Sequence, residues 1–146
     1  MILSKSLKHG WYYYYKIHKD KLDGLPDAGY SDLAQFLLQA RHQENRPDER
    51  FTDGPRSSQV SLDTDIEAAE TQHIVSDLAQ IGLESDFYKD KHMNVQMFML
   101  AYDKETVAME VPVWFEDPVG LSIPEIDALT GHIDLVRVED DTVWIW

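Results

Sequence analysis

The sequence predicts a mixed α/β domain of the α+β kind, an antiparallel β-meander with a helix packed on one face, and three observations predict it. Between Thr106 and Phe115, Val107, Met109, Val111, Val113 and Phe115 alternate with Ala108, Glu110, Pro112 and Trp114, the period of two that turns one face of a strand toward a core. Two further β-rich runs, Gly131 to Val138 and Thr142 to Trp146, are separated only by the acidic turn Glu139-Asp140-Asp141, which is short enough to demand an antiparallel hairpin. From Asp63 or Thr64 to Gly82, the residues Ile66, Ala69, Ile74, Val75, Leu78 and Ile81 form an apolar stripe at helical spacing, with the glycine as its stop.

The remaining elements follow in chain order. Residues 1–24 form a basic aromatic segment in which Lys5, Lys8, Lys16, Lys19 and Lys21 outnumber Asp20 and Asp23 around the run Trp11-Tyr12-Tyr13-Tyr14-Tyr15. Its secondary structure is open, and it ends at the turn signal Asp23-Gly24-Leu25-Pro26. A helix is expected from Ser31, a good N-cap, with Leu33, Phe36, Leu37 and Ala40 at helical spacing and His42 near its end. Residues 44–63 are polar and aperiodic and read as a long surface loop. Residues 64–146 then hold the helix and a three-stranded core. Met93 to Tyr102 fits helix or strand, since Val95, Met97, Met99 and Ala101 alternate while Phe98 and Leu100 fill the gaps. Pro112 removes a ladder donor and marks its strand as an edge or a bulge.

Composition narrows the class of protein. A chain of 146 residues, 43% hydrophobic, suits one globular domain spanning 1–146, and such a domain buries about 68–70% of the surface its unfolded chain exposes. No apolar run approaches the roughly 18 residues of a membrane span, and no secretory leader is legible, so the expectation is a cytoplasmic protein with no membrane partner. With no cysteine there is no disulfide, thiolate zinc site or cysteine nucleophile, and a metal must be held by His, Asp or Glu. The net charge of −14 opposes nucleic acid in general, but residues 1–24 are net +3.

Two acids stand out. Asp134 interrupts the apolar run Gly131-His132-Ile133-Asp134-Leu135-Val136, and Glu110 interrupts Met109-Glu110-Val111-Pro112-Val113. Each could simply face solvent. On neighbouring strands, however, the two carboxylates would converge on a site for a hard divalent cation, which can activate water and neutralise a phosphate. On the helix, Glu70, His73 and Asp77 share a face, so His73 is either a metal ligand or a half-exposed histidine bonded to its acidic neighbours. Serine-nucleophile, glycine-rich phosphate-loop and zinc-protease motifs are absent from the sequence.

The order of Ser4-x-x-Leu7, Trp11-Tyr12-Tyr13-Tyr14-Tyr15-Lys16, Ala69-x-x-x-His73-Ile74, Glu110-Val111-Pro112 and Gly131-His132-Ile133-Asp134 resembles the PD-(D/E)XK nucleases of the RecB-type branch. The resemblance covers most of the chain, and its most specific part runs from Leu129 to Val136, followed by the acidic turn and Thr142 to Trp146. It implies a restriction-endonuclease-like core that hydrolyses DNA phosphodiester bonds with Mg²⁺ or Mn²⁺ held by His73, Glu110 and Asp134. On that reading the basic aromatic segment, through Lys8, Trp11, Tyr13, Lys16 and Lys19, would supply phosphate contacts and stacking surfaces for DNA, a single strand or an end above all; the alternative is that its Tyr and Trp pack on the core while its lysines stay in water. Ala69 stands where the family has a small glycine, and Gly10 where cluster-bearing members have a cysteine, so no iron–sulfur cluster is expected. The family's acid-x-lysine triplet would begin where this sequence ends. The expectation is therefore a C-terminally incomplete core, inactive by itself and active when extended through the next strand. The alternative is a non-catalytic binding or regulatory module with a protein partner; an acidic mimic of DNA is a third reading.

Overall fold

The computed structural model describes residues 1–9, 11–40, 73–116 and 128–146. The expected loop at 44–63, the first part of the expected helix from 64, and the excursion through Asp117-Pro118 and Ile123-Pro124 lie outside the described residues. The order is β1 (Ile2–His9), β2 (Trp11–His18), α1 (Lys19–Asp23), α2 (Asp27–Gln39), α3 (Ile74–Leu83), α4 (Lys91–Tyr102), β3 (Thr106–Glu116), β4 (Ala128–Glu139) and β5 (Thr142–Ile145). The five strands form one antiparallel sheet whose spatial order is their sequence order. The expected three-strand meander is present as β3-β4-β5, but the core sheet is larger, because the basic aromatic segment adds a hairpin to it.

That hairpin pairs Ile2 with His18 through to His9 with Trp11. Aromatic residues favour a pleated, half-buried surface, and period two sorts them. Tyr15 and Ile17 are buried and Tyr13 is half-buried, while Tyr12 and Tyr14 face outward. The Tyr15 hydroxyl donates to the Leu37 carbonyl at 2.6 Å and so ties α2 to this face. Here α2 starts at Asp27 rather than Ser31, directly behind Pro26, whose φ of −60° presets the helical approach.

Two apolar clusters cover the two faces of the sheet. Leu7, Tyr15, Ile17, Ala108, Val111 and Val136 pack with Leu22, Leu37 and Ala40 from α1, α2 and the α2 cap. On the other side Met109 and Leu135 pack with Val75, Met99 and Leu100 from α3 and α4. The ambiguous segment at Met93 is helix α4, capped by the Asp90 carboxylate, which accepts the Met93 N–H at 3.0 Å. Its pattern was blurred because Asn94 and Gln96 are buried alongside Met99 and Leu100. Against it lies α3, so close that a Cβ at Gly82 would stand 2.8 Å from the Val95 Cα.

Pro112 sits in a length of β3 whose register is to β4 alone; the β2 register covers only Lys16↔Met109 and Ile17↔Ala108. Its N–H deficit is thus harmless, as an edge position requires. Between β4 and β5, Asp140 and Asp141 take φ of 48° and 59°, the left-handed pair of a type I′ hairpin turn. No helix among the described residues is long and apolar enough to cross a membrane.

Candidate metal centre

Glu110 and Asp134 stand opposite each other, flanked by the pairs Met109↔Leu135 and Val111↔Ile133. On a regular strand residues two apart share a face. Here Met109 and Leu135 pack toward α3 and α4, whereas Val111 and Ile133 pack into the opposite cluster. The pleat therefore breaks at the pair carrying the two carboxylates, and Glu110 absorbs the break with a left-handed φ of 53°. A non-glycine residue there is strained by about 1 kcal/mol or more, a cost met at sites that re-aim a side chain.

The break lets helix α4 reach both acids. His92, in its first turn, places Nε2 at 3.4 Å from Glu110 Oε1 and 3.8 Å from Asp134 Oδ2. One turn on, Gln96 Nε2 donates to the same Glu110 Oε1 at 2.6 Å and contacts the Asp134 carbonyl at 3.4 Å. Behind them His132 Nδ1 lies 4.0 Å from Glu110 Oε2, with the Tyr13 ring packed on its imidazole at 3.7 Å between centroids. Glu110 is thus anchored in protein, its side chain 13% exposed, while His92 at 55% and Asp134 at 51% open to solvent.

One ligand atom each from His92, Glu110 and Asp134 lies within 4.8 Å of the others, and this is the one such trio among the described residues. The donor set fits a divalent cation: two carboxylates supply charge and oxygen ligands, and an imidazole supplies a nitrogen. A second observation agrees. Gln96 is 1% exposed, its amide nitrogen is directed at Glu110 in the trio, and its Oε1 is buried without a hydrogen-bond partner among the described residues.

The structure brings together Glu110 and Asp134, as the sequence predicts, but not His73. That residue is the N-cap of α3 rather than an interior helical position: its Nδ1 accepts the Val75 N–H at 3.2 Å. Its Nε2 lies 3.5 Å from Glu139, and its ring packs on Trp144 and Trp146 at 5.2 and 5.3 Å. With Nδ1 capping α3, Nε2 beside Glu139 and the ring on Trp144 and Trp146, His73 is not a member of the trio, whose histidine is His92. His92 had a sequence signal: with Gln96 it forms an i, i+4 polar pair two residues after an Asp N-cap.

The residues expected to touch DNA are also redistributed. Lys8 is exposed, across the hairpin from Tyr12. Lys16 is 8% exposed; its ammonium donates to the Tyr88 hydroxyl at 3.0 Å and lies 5.8 and 5.0 Å from the Tyr14 and Tyr88 rings. Lys19 pairs with Asp23 at 2.5 Å, and Tyr13 packs against the core and His132. The Trp11 side chain lies outside what is described. Strand alternation explains the exchange, since it sends Tyr12 and Tyr14, not Tyr13, outward.

No protein-family model, no curated protein and no solved structure matches the chain.

Proposed function

We propose that the chain is a metal-dependent nuclease domain acting on DNA phosphodiester bonds, with Mg²⁺ or Mn²⁺ held by His92, Glu110 and Asp134. The convergence of these three side chains within 4.8 Å carries the reading, and the resemblance of Gly131-His132-Ile133-Asp134 to a RecB-type nuclease motif supplies the substrate class. A divalent cation, when bound, neutralises charge on a phosphate oxygen and acidifies a coordinated water. The chain's own contribution is positional. Gln96 holds the Glu110 carboxylate in one orientation, and Asp134 presents its carboxylate at the open side. His92, as the tautomer protonated on Nδ1, offers the Nε2 lone pair.

The charge of −14 favours a second reading, a non-catalytic binding or regulatory module of nuclease-like fold with a protein partner.

Calorimetric titration with Mn²⁺ and fluorescence anisotropy with a single-stranded DNA oligonucleotide test the proposal together. One Mn²⁺ per chain is expected, weakened about tenfold or more by Asp134→Ala, and Mn²⁺ should tighten DNA binding in the parent but not in that variant. DNA binding indifferent to Mn²⁺ would support the second reading. Mn²⁺ affinity unchanged by Asp134→Ala would overturn both assignments of the site.

A further inference from the structure

Helix α4 supplies a nitrogen ligand and an amide to the same carboxylate oxygen of Glu110, from two residues one helical turn apart. A site for Mg²⁺ alone has no use for the first. Mg²⁺ prefers oxygen ligands and retains its water, whereas an imidazole nitrogen suits first-row transition metals. We infer that His92 and Gln96 make this centre selective for a transition-metal cation over Mg²⁺, His92 as the selecting ligand and Gln96 as a positioning residue for Glu110. The inference rests on the cation-binding reading above and refines it.

The two residues have separable duties. His92 is more than half exposed, so its imidazole is available without unfolding anything, and its Nε2 lies near an oxygen of each acid. Gln96 is almost wholly buried and touches no open surface; it acts through Glu110, whose left-handed backbone gives the carboxylate no regular strand geometry to hold it. Its 2.6 Å hydrogen bond fixes which Glu110 oxygen faces His92. Outer-shell partners of this kind are worth about 10–100-fold in metal affinity.

The test is Mn²⁺ binding followed by the loss of the free-ion paramagnetic resonance signal, alone and in competition with Mg²⁺, on the whole chain. The parent should retain Mn²⁺ against an excess of Mg²⁺. His92→Asn should lower Mn²⁺ affinity about tenfold or more while Mg²⁺ affinity moves far less, so that the ratio of the two collapses. Gln96→Leu should weaken both ions about tenfold and leave their ratio in place, and Gln96→Asn, which retains the amide, should recover part of the loss. An unchanged ratio in His92→Asn overturns the selectivity inference, as does a Gln96→Leu protein that binds Mn²⁺ like the parent. No Mn²⁺ binding by the parent, or none that Asp134→Ala weakens, would instead sink the cation reading beneath it. Near-ultraviolet circular dichroism identifies a variant that has lost its fold, and the exposed His92 keeps the ratio test open if the buried Gln96 variants fail to fold.

Discussion

Arg137 on β4 donates from Nε to Asp103 Oδ2 at 2.8 Å, and the two side chains are 1% and 5% exposed. The guanidinium also donates to Glu139 at 2.7 Å, and Asp103 accepts from the Thr106 hydroxyl. Burial alone would push the Asp103 carboxyl up, but the hydrogen bonds from Arg137 and Thr106 and the guanidinium charge outweigh it and hold the group at about 2. A carboxyl depressed in the folded state adds stability above its unfolded value near 3.8, and that stability is lost as pH falls through about 2. The urea midpoint should therefore fall between pH 4 and pH 2 in the parent, and Asp103→Asn should flatten that part of the profile.

Removing one partner from a buried pair leaves the other charge uncompensated. Arg137→Met should destabilise the domain by about 3–5 kcal/mol, while the double variant Arg137→Met, Asp103→Leu should recover a large part of the loss. Denaturant unfolding of the parent, the two single variants Arg137→Met and Asp103→Leu, and the double variant measures it, and additive losses would contradict the pairing.

At Gly82, helix propensity and packing oppose each other. Alanine would gain about 1 kcal/mol as a helix former, yet its Cβ would meet the Val95 backbone at 2.8 Å, and overpacking of this kind costs about 1–3 kcal/mol. Gly82→Ala is expected to lower the thermal midpoint, and a raised midpoint would mean that α3 and α4 can separate cheaply.

The Asp90 cap connects stability to the metal centre. Asp90→Ala should cost about 0.5–2 kcal/mol. Because His92 sits two residues further on in the freed turn, Mn²⁺ affinity should fall as well, with Asp90→Ser retaining most of both.

The convergence of Glu110 with Asp134 was legible as a condition, because each acid interrupts an apolar strand and neighbouring strands would bring the two together; the short acidic turn fixes only the β4–β5 register. The helical partner was not. The apolar stripe of α3 is strong enough to place His73 on a helix, but nothing in that stripe reveals that its imidazole caps the helix instead. In α4 the buried face mixes Asn94 and Gln96 with Met99 and Leu100, so hydropathy could not show which side met the sheet. The N-terminal hairpin escaped for the opposite reason: five consecutive aromatic residues carry no inside–outside contrast, and only the pairing separates Tyr15 from Tyr14.

The β2 register to β3 covers only the pairs Lys16↔Met109 and Ile17↔Ala108, whereas the hairpins on either side are paired along most of their lengths. Those two pairs also join segments some ninety residues apart in the chain, so closing them is the entropically expensive step, while each hairpin closes locally. The sheet should thus assemble as two independent units that meet late and part early. In native-state hydrogen exchange, the amides that bond across the Lys16↔Met109 and Ile17↔Ala108 pairs should open together, as one seam, at a lower free energy than the β3–β4 amides near Val136.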